Sequence, residues 1–425
     1  VAPTRFAAPV IRTTWVFVLE SGIGFTLSYA TMIKIPTGLP IPTAAMQAQS
    51  EQLSQLISEE ITQQATGSIS FSRFMELALY EPQRGYYTAA LDKLGKTGDF
   101  ITAPEISPLF AQCIARQCQQ VFADLGSADI LEIGAGTGQL AVDLLLCLEK
   151  ENCLPEQYKI LEISPTLKAR QQDLLQKRIP HLLTRIHWLD DWPLSPLKGV
   201  MIANEVVDAL PVDKFFWTKD HVQEVRVGYE KGYFNYRFIE PGDFNQVALL
   251  NHLRANYFSE VNRYESELCL RLDAWISKLG SALLQGLALI IDYGFPAREY
   301  YHPDRCQGTL MCYYRHLAHT DPLCLIGLQD ITASVDFTRL AQSAVQAGLN
   351  VAGFTPLAAF LINNDLLPLI EKCYDTLSAI DVNRQVHVLT SPSEMGELIK
   401  VIGLTRGYEA SPLQGFRTYD KRARL

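Results

Sequence analysis

The stretch DILEIGAGTGQLA at residues 129–141 constrains this chain more than any other. An apolar run passes into three glycines at alternate positions, Gly134, Gly136 and Gly138, and then into a segment whose Leu140, Leu144 and Leu148 share one helical face. A strand that enters a helix through glycines brings bare backbone close to a ligand. The pattern continues downstream. Strands are predicted at 129–133, 158–163, 185–189 and 199–203, with helices at 138–150 and 165–178 between the early ones. Nearly continuous apolar strands alternating with helices imply a parallel sheet covered on both faces. The expected fold class is α/β, a doubly wound, Rossmann-like sheet.

The flanks read differently. Residues 46–66 form a surface helix, with Leu53, Leu56 and Ile57 at helical spacing. Residues 71–80 form a second amphipathic helix, stopped by Pro82. RGYYTAALDKLGKTGDFITAPEISPLF is a long ordered loop, and helix returns over 107–124. Residues 212–240 alternate like an antiparallel meander with Lys231–Gly232 as a turn. A helical segment is predicted at 245–279 and a buried strand at 287–294; 295–335 reads as irregular, 337–380 as mostly helical, and 385–419 as helix and strand. The division expected is an extension at 1–60, non-native in part, an N-terminal helical cap and loop at 61–125, and a core at 126–425 carrying insertions at about 212–285 and 295–384.

A net charge of -9 disfavours nucleic acid as the main partner, because phosphate binding needs a basic stripe. Nine cysteines scattered without a CxxC point to free thiols in a reducing compartment. Cys306, Cys312, His316, His319 and Cys324 lie close in sequence, but their spacing matches no common zinc pattern, and no metal is expected. WVFVLESGIGFTLSYATMI (15–33) is long and apolar enough to span a membrane. Glu20, two glycines and a thin basic flank argue against stable insertion, and the segment makes a poor signal peptide.

The glycine turn departs from the dinucleotide pattern, because Gln139 stands where its third glycine belongs. With Glu132 two residues ahead, the form E-x-G-x-G-x-G suits S-adenosylmethionine, which has no pyrophosphate to neutralise. A carboxylate near the turn answers the cofactor's positive charge. Glu162 ends the second strand, where a carboxylate can take both ribose hydroxyls, and Asp190 and Asp191 follow the third, where an adenine amino group could be read. The strand at 199–203 delivers Asn204, Glu205 and Asp208 to the same sheet edge. Three polar groups after a buried strand cost desolvation unless they bind something. Asn204 is a candidate cap or cofactor contact. Glu205 and Asp208 are candidates to hold a cationic acceptor such as a guanidinium, which binds carboxylates in bidentate fashion.

GYYT (85–88), GDFITAPEISPLF (98–110), EIGAGTG, ANEVVDALPV, IDYG (291–294) and GLQDITASVDF (327–337) occur in order. In these motifs the chain resembles the MidA family, the mitochondrial complex I assembly methyltransferases and their bacterial relatives, from about residue 71 to 405. The resemblance implies a class I methyltransferase fold, S-adenosylmethionine as cofactor, and symmetric dimethylation of an arginine on a protein substrate, a subunit of respiratory complex I. It implies a cytoplasmic location for a bacterial-type member and the mitochondrial matrix for a eukaryotic one. A homodimer is compatible with the sequence. Gly98, Asp99 and Thr102 would then close over the cofactor, and Asp292, His316, Asp330 and Asp336 would line the acceptor side, with His316 a candidate base. Two alternatives remain at this point: methylation of a small molecule or another side chain, and an assembly factor that binds S-adenosylmethionine without turnover.

Overall fold

The computed structural model describes residues 15–16, 35–36, 38–89, 101–219, 221–242, 244–373, 378–409 and 412–425. Seven strands build its central sheet: β1 (Asp129–Ile133), β2 (Tyr158–Leu161), β3 (Ile186–Leu189), β4 (Leu197–Asn204), β5 (Leu283–Phe295), β6 (Asn350–Pro356) and β7 (Ile399–Arg406). Across the sheet they run β6-β7-β5-β4-β1-β2-β3, and a two-residue strand, Val335–Asp336, pairs with the end of β5. From β3 to β5 the pairings are parallel, whereas β7 lies antiparallel to both β5 and β6.

Side-chain alternation along these strands builds both layers. Ile130, Ile160, Val200, Ile202, Leu289 and Val401 face one core, covered by helices Pro108–Leu125, Gln139–Lys150 and Leu357–Asn363. Leu131, Ile133, Met201, Ala203, Ile290 and Ile402 face the other, under helices Leu272–Ala282 and Phe337–Gln346. The chain order reverses between β1 and β4. In an open α/β sheet that switch point, at the carboxyl ends of the strands, is where ligands bind.

The 212–240 meander forms as expected, as strands Asp213–Thr218, Val222–Glu230 and Tyr233–Ile239. Lys231 (φ 55°) and Gly232 (φ 86°) both have the positive φ that a two-residue hairpin turn of right-twisted strands requires. Helices Ala44–Gln63 and Phe71–Tyr80 pack on this second sheet through Leu53, Ile57, Ile61, Phe71 and Phe74.

Two segment readings are corrected. The stretch 245–279 is not one helical run: Arg263–Leu268 pairs antiparallel with Asp213–Thr218 and buries Tyr264, Ser266 and Leu268 on alternate positions. Its Glu-rich composition favours helix, and cross-strand pairing overrides that preference. Within 337–380, the helix ends at Gln346, Gly348 (φ 76°) turns the chain just past its cap, and the chain enters core strand β6. The apolar stretch 15–33 falls outside the described residues except for 15–16. Among the described residues no helix is long and apolar enough to cross a membrane.

Candidate active site

The carboxyl ends of β1, β2 and β4 open into a cleft of about 560 Å³, within the range of small-molecule sites. Its floor is the glycine turn. Gly134, Gly136 and Gly138 all have positive φ, at 67°, 54° and 87°. A Cβ added to Gly136 would meet nothing within 4 Å, so it would stand in the open cleft where a ligand can approach the backbone. Gln171, from the polar-looking helix Pro165–Arg178, is fully buried and braces this floor. Its Nε2 donates to the Gly136 carbonyl (3.0 Å) and to Glu162 Oε2 (2.9 Å), and its Oε1 accepts from Trp188 Nε1 (3.0 Å). Nothing in the local sequence distinguishes Gln171 from its solvated neighbours.

Glu132 and Glu162 stand at the ends of β1 and β2. Glu132 accepts a 2.6 Å hydrogen bond from the Tyr158 hydroxyl, and burial pushes its carboxyl up to about 7. Glu162 accepts from the Ser164 amide (2.8 Å) and is raised, also mainly by burial. Each is a buried acid whose ionised form a cationic ligand would stabilise. Asn204, at the end of β4, has a buried Oδ1 with no hydrogen-bond partner among the described residues. Such an atom calls for a donor, which the ammonium of S-adenosylmethionine would supply. The cradle, the acids and this carbonyl therefore fit that cofactor.

Beyond Asn204, Glu205 adopts φ 53°, an uncommon conformation for a non-glycine residue and one associated with functional sites. It places the side chain in the cleft wall, where Oε1 accepts from the Ala103 amide (3.4 Å). Thr102, the preceding residue, also lines the cleft, while Gly98 and Asp99 lie outside the described residues.

Four other expected site residues take supporting positions. Asp208 is buried behind the wall, its amide bonded to Asp292 and its carbonyl to the Ala333 amide. Asp292 does not line the cleft. From within β5, its Oδ2 accepts from the amides of Val206 (3.1 Å), Val207 (2.8 Å) and Asp208 (3.2 Å), tying down the turn that presents Glu205. Asp336 caps helix Phe337–Gln346 by accepting from the Arg339 amide (3.1 Å), and burial raises it to about 6. Asp330 is fully buried and accepts the Tyr87 hydroxyl (2.8 Å). Asp190 pairs at the surface with Lys168 (2.8 Å), whereas Asp191 borders the cleft and accepts from the Trp192 amide (2.8 Å).

His316 is not brought to the cleft. With Arg315 it makes the exposed two-residue turn between strands Met311–Tyr314 and Leu317–His319, at φ 63°. Among the described residues, no group of three His, Cys, Asp or Glu side chains is placed to hold a metal ion.

Several cleft residues were not anticipated. Tyr80, Tyr87, Trp192 and Trp275 supply aromatic walls, and Glu76 holds Arg271 in a bidentate pair (2.5 and 2.9 Å) at the rim. That pairing holds the Glu76 carboxyl down at about 2. Only Tyr87, inside GYYT, lay within a segment singled out by the sequence; Trp192 follows strand β3, Glu76, Tyr80 and Trp275 come from helices whose composition reads as ordinary amphipathic surface, and Arg271 caps the last of these helices.

The strand order with its single reversed strand, and the glycine floor at the switch point between carboxylates, define a class I S-adenosylmethionine-dependent methyltransferase. Comparison with known proteins agrees. Residues 113–355 match the family described as "Putative S-adenosyl-L-methionine-dependent methyltransferase", and the chain belongs to that family. A Burkholderia thailandensis protein solved with S-adenosyl-homocysteine bound is 38% identical, with a TM-score of 0.86 over 91% of this chain and 100% of that one. The zebrafish protein arginine methyltransferase NDUFAF7, mitochondrial, is 29% identical over 371 residues, covering 78% of this chain and 82% of its own. The human protein of the same name is 28% identical over 395 residues, covering 85% and 84%.

Proposed function

We propose that this methyltransferase acts on the guanidinium of an arginine in a protein substrate. The acidity of the cleft carries the reading. Six of its described lining residues are acids (Glu76, Glu105, Glu132, Glu162, Asp191 and Glu205), against two bases, Arg271 and Lys278. A cleft so charged favours a cationic acceptor beside a cationic cofactor. The mitochondrial relatives, named as protein arginine methyltransferases, support the same acceptor.

The residues divide by place. Glu132, Gly134, Gly136, Gly138, Glu162, Asp191, Asn204 and Thr102 would hold S-adenosylmethionine, with Gly98 and Asp99 assigned by resemblance. When bound, the cofactor supplies an electrophilic methyl group. Glu205 would take hydrogen bonds from the acceptor guanidinium, drawing its positive charge toward the carboxylate and leaving one nitrogen lone pair directed away from it. The chain's contribution is alignment of that nitrogen with the methyl carbon. Asp208 and Asp292 act behind Glu205 by holding its turn. Symmetric dimethylation, and a respiratory-complex subunit as acceptor, follow from the family resemblance, as does a bacterial cytoplasmic or mitochondrial matrix location.

The test is to incubate the protein with methyl-labelled S-adenosylmethionine and a lysate of the source organism, then hydrolyse the labelled proteins to amino acids. Label in dimethylarginine supports the proposal. Label in a small molecule or another side chain overturns the acceptor, and cofactor binding without transfer overturns turnover.

A further inference from the structure

Helix Phe71–Tyr80 ends in a tight return. The Glu81 carbonyl accepts from the Gly85 amide (2.7 Å), and the next two residues fold back onto the helix end, Tyr86 N–H to the Ala78 carbonyl and Tyr87 N–H to the Leu79 carbonyl (both 2.9 Å). Only glycine fits at 85, because a Cβ there would lie 2.6 Å from the Glu81 nitrogen. The return brings Tyr87 over Tyr80, ring on ring, with centroids 5.5 Å apart and planes 22° from parallel. Tyr86 closes on Tyr87 edge-on at 5.0 Å.

Both stacked rings line the cleft, and both are pinned. The Tyr80 hydroxyl donates to the Ala209 carbonyl (2.9 Å), four residues past Glu205. The Tyr87 hydroxyl donates to Asp330 Oδ1 (2.8 Å), while its main-chain carbonyl accepts from Ser164 Oγ (2.6 Å), two residues past Glu162. The stack therefore bridges the Glu162 edge, on the cofactor side, and the turn that carries Glu205. Each phenolic proton is spent inside the protein, so the rings present chiefly aromatic surface to the cleft. An aromatic surface opposite a carboxylate recognises a planar, delocalised cation: guanidinium stacks on such rings, whereas an ammonium, compact and strongly hydrated, gains less.

We propose that the Tyr80–Tyr87 stack is the specificity-determining wall of the acceptor site, positioning a planar guanidinium between its aromatic surface and Glu205. This rests on the arginine reading above. The two tyrosines are positioning residues and take no part in bond making.

The experiment compares the full chain with Tyr80→Phe, Tyr87→Phe, Tyr80→Leu and Tyr87→Leu. Two quantities are read: affinity for S-adenosyl-homocysteine by calorimetry, and the rate of label transfer from S-adenosylmethionine to arginine in dilute lysate protein. The phenylalanine variants keep the ring and lose the hydroxyl; the leucine variants keep apolar bulk and lose the ring. We expect the phenylalanine variants to transfer within about threefold of the parent, and the leucine variants to fall by about tenfold at low acceptor concentration, as loss of one desolvated cation–π contact implies. S-adenosyl-homocysteine affinity should stay within about twofold throughout, as for any change that leaves the cofactor half intact. Arginine labelled at parental rates by the leucine variants would overturn the wall and leave the arginine reading standing. Parallel loss of S-adenosyl-homocysteine affinity would also overturn it, by showing that the stack serves the fold. A parent that labels a residue other than arginine would remove the arginine reading, and the proposal with it.

Discussion

Glu132→Gln tests the electrostatics of the cofactor floor. Burial raises the Glu132 carboxyl from the usual 4.5 to about 7. With each tenfold change in proton affinity worth about 1.4 kcal/mol, the ionised form carries a penalty of about 3 kcal/mol in the folded protein. The sign follows from linkage. Between 4.5 and about 7 the folded protein keeps a proton that the unfolded chain has lost, so this group lowers stability as pH rises through that window, and the full cost stands above it. Glutamine removes the charge and still offers the Tyr158 hydroxyl an oxygen at the position of Oε2. The cofactor-free variant should match the parent near pH 5 and exceed it at pH 8. For 425 residues the unfolding entropy makes ~3 kcal/mol worth about 3 °C in Tm. Cofactor binding should move oppositely: losing a charged acceptor weakens S-adenosylmethionine by roughly 10–100-fold, and the pH dependence of its affinity near 7 should flatten. Calorimetric scans of parent and variant from pH 5 to 8, with and without ligand, read both effects. A difference in Tm that does not grow with pH, or a variant less stable than the parent at pH 8, refutes the reasoning.

Glu205→Gln should leave S-adenosyl-homocysteine affinity within about threefold while cutting turnover by roughly 100-fold, because the loss falls on the acceptor side; equal loss of both would remove the role given to Glu205. Asp292→Ala deprives the Val206, Val207 and Asp208 amides of their shared acceptor and should cost about 3 kcal/mol in urea unfolding, with turnover falling more than cofactor affinity. Gly136→Val puts a branched side chain at φ 54° and into the cleft, so S-adenosyl-homocysteine binding should fall at least about 100-fold while the apoprotein loses only about 1–2 kcal/mol; titration calorimetry and thermal scans separate the two.

The local parts of this protein were legible in its sequence. Short-range forces determine them: strand-then-helix periodicity around 129–150, positive φ at Gly134, Gly136 and Gly138, and the Lys231–Gly232 turn each depend on neighbours a few residues away. The same local logic put Glu132, Glu162, Asn204 and Glu205 at strand ends, hence around one cleft. What needed the tertiary structure was everything decided by partners distant in the chain. Arg263–Leu268 becomes a strand because Asp213–Thr218 offers it an edge, and β6 forms because β7 offers another. Asp292 reads from the sequence as a pocket residue near the end of a buried strand, yet three amides 84–86 residues away claim its carboxylate. His316 belongs to a turn whose direction is set by the strands it joins. Gln171 and Tyr80 look ordinary in their helices and acquire their places only when Gly136, Glu162 and Ala209 arrive beside them. Backbone propensity and hydrophobic period act over a turn or a strand, whereas the destination of a buried polar group is set by whichever long-range contact satisfies it.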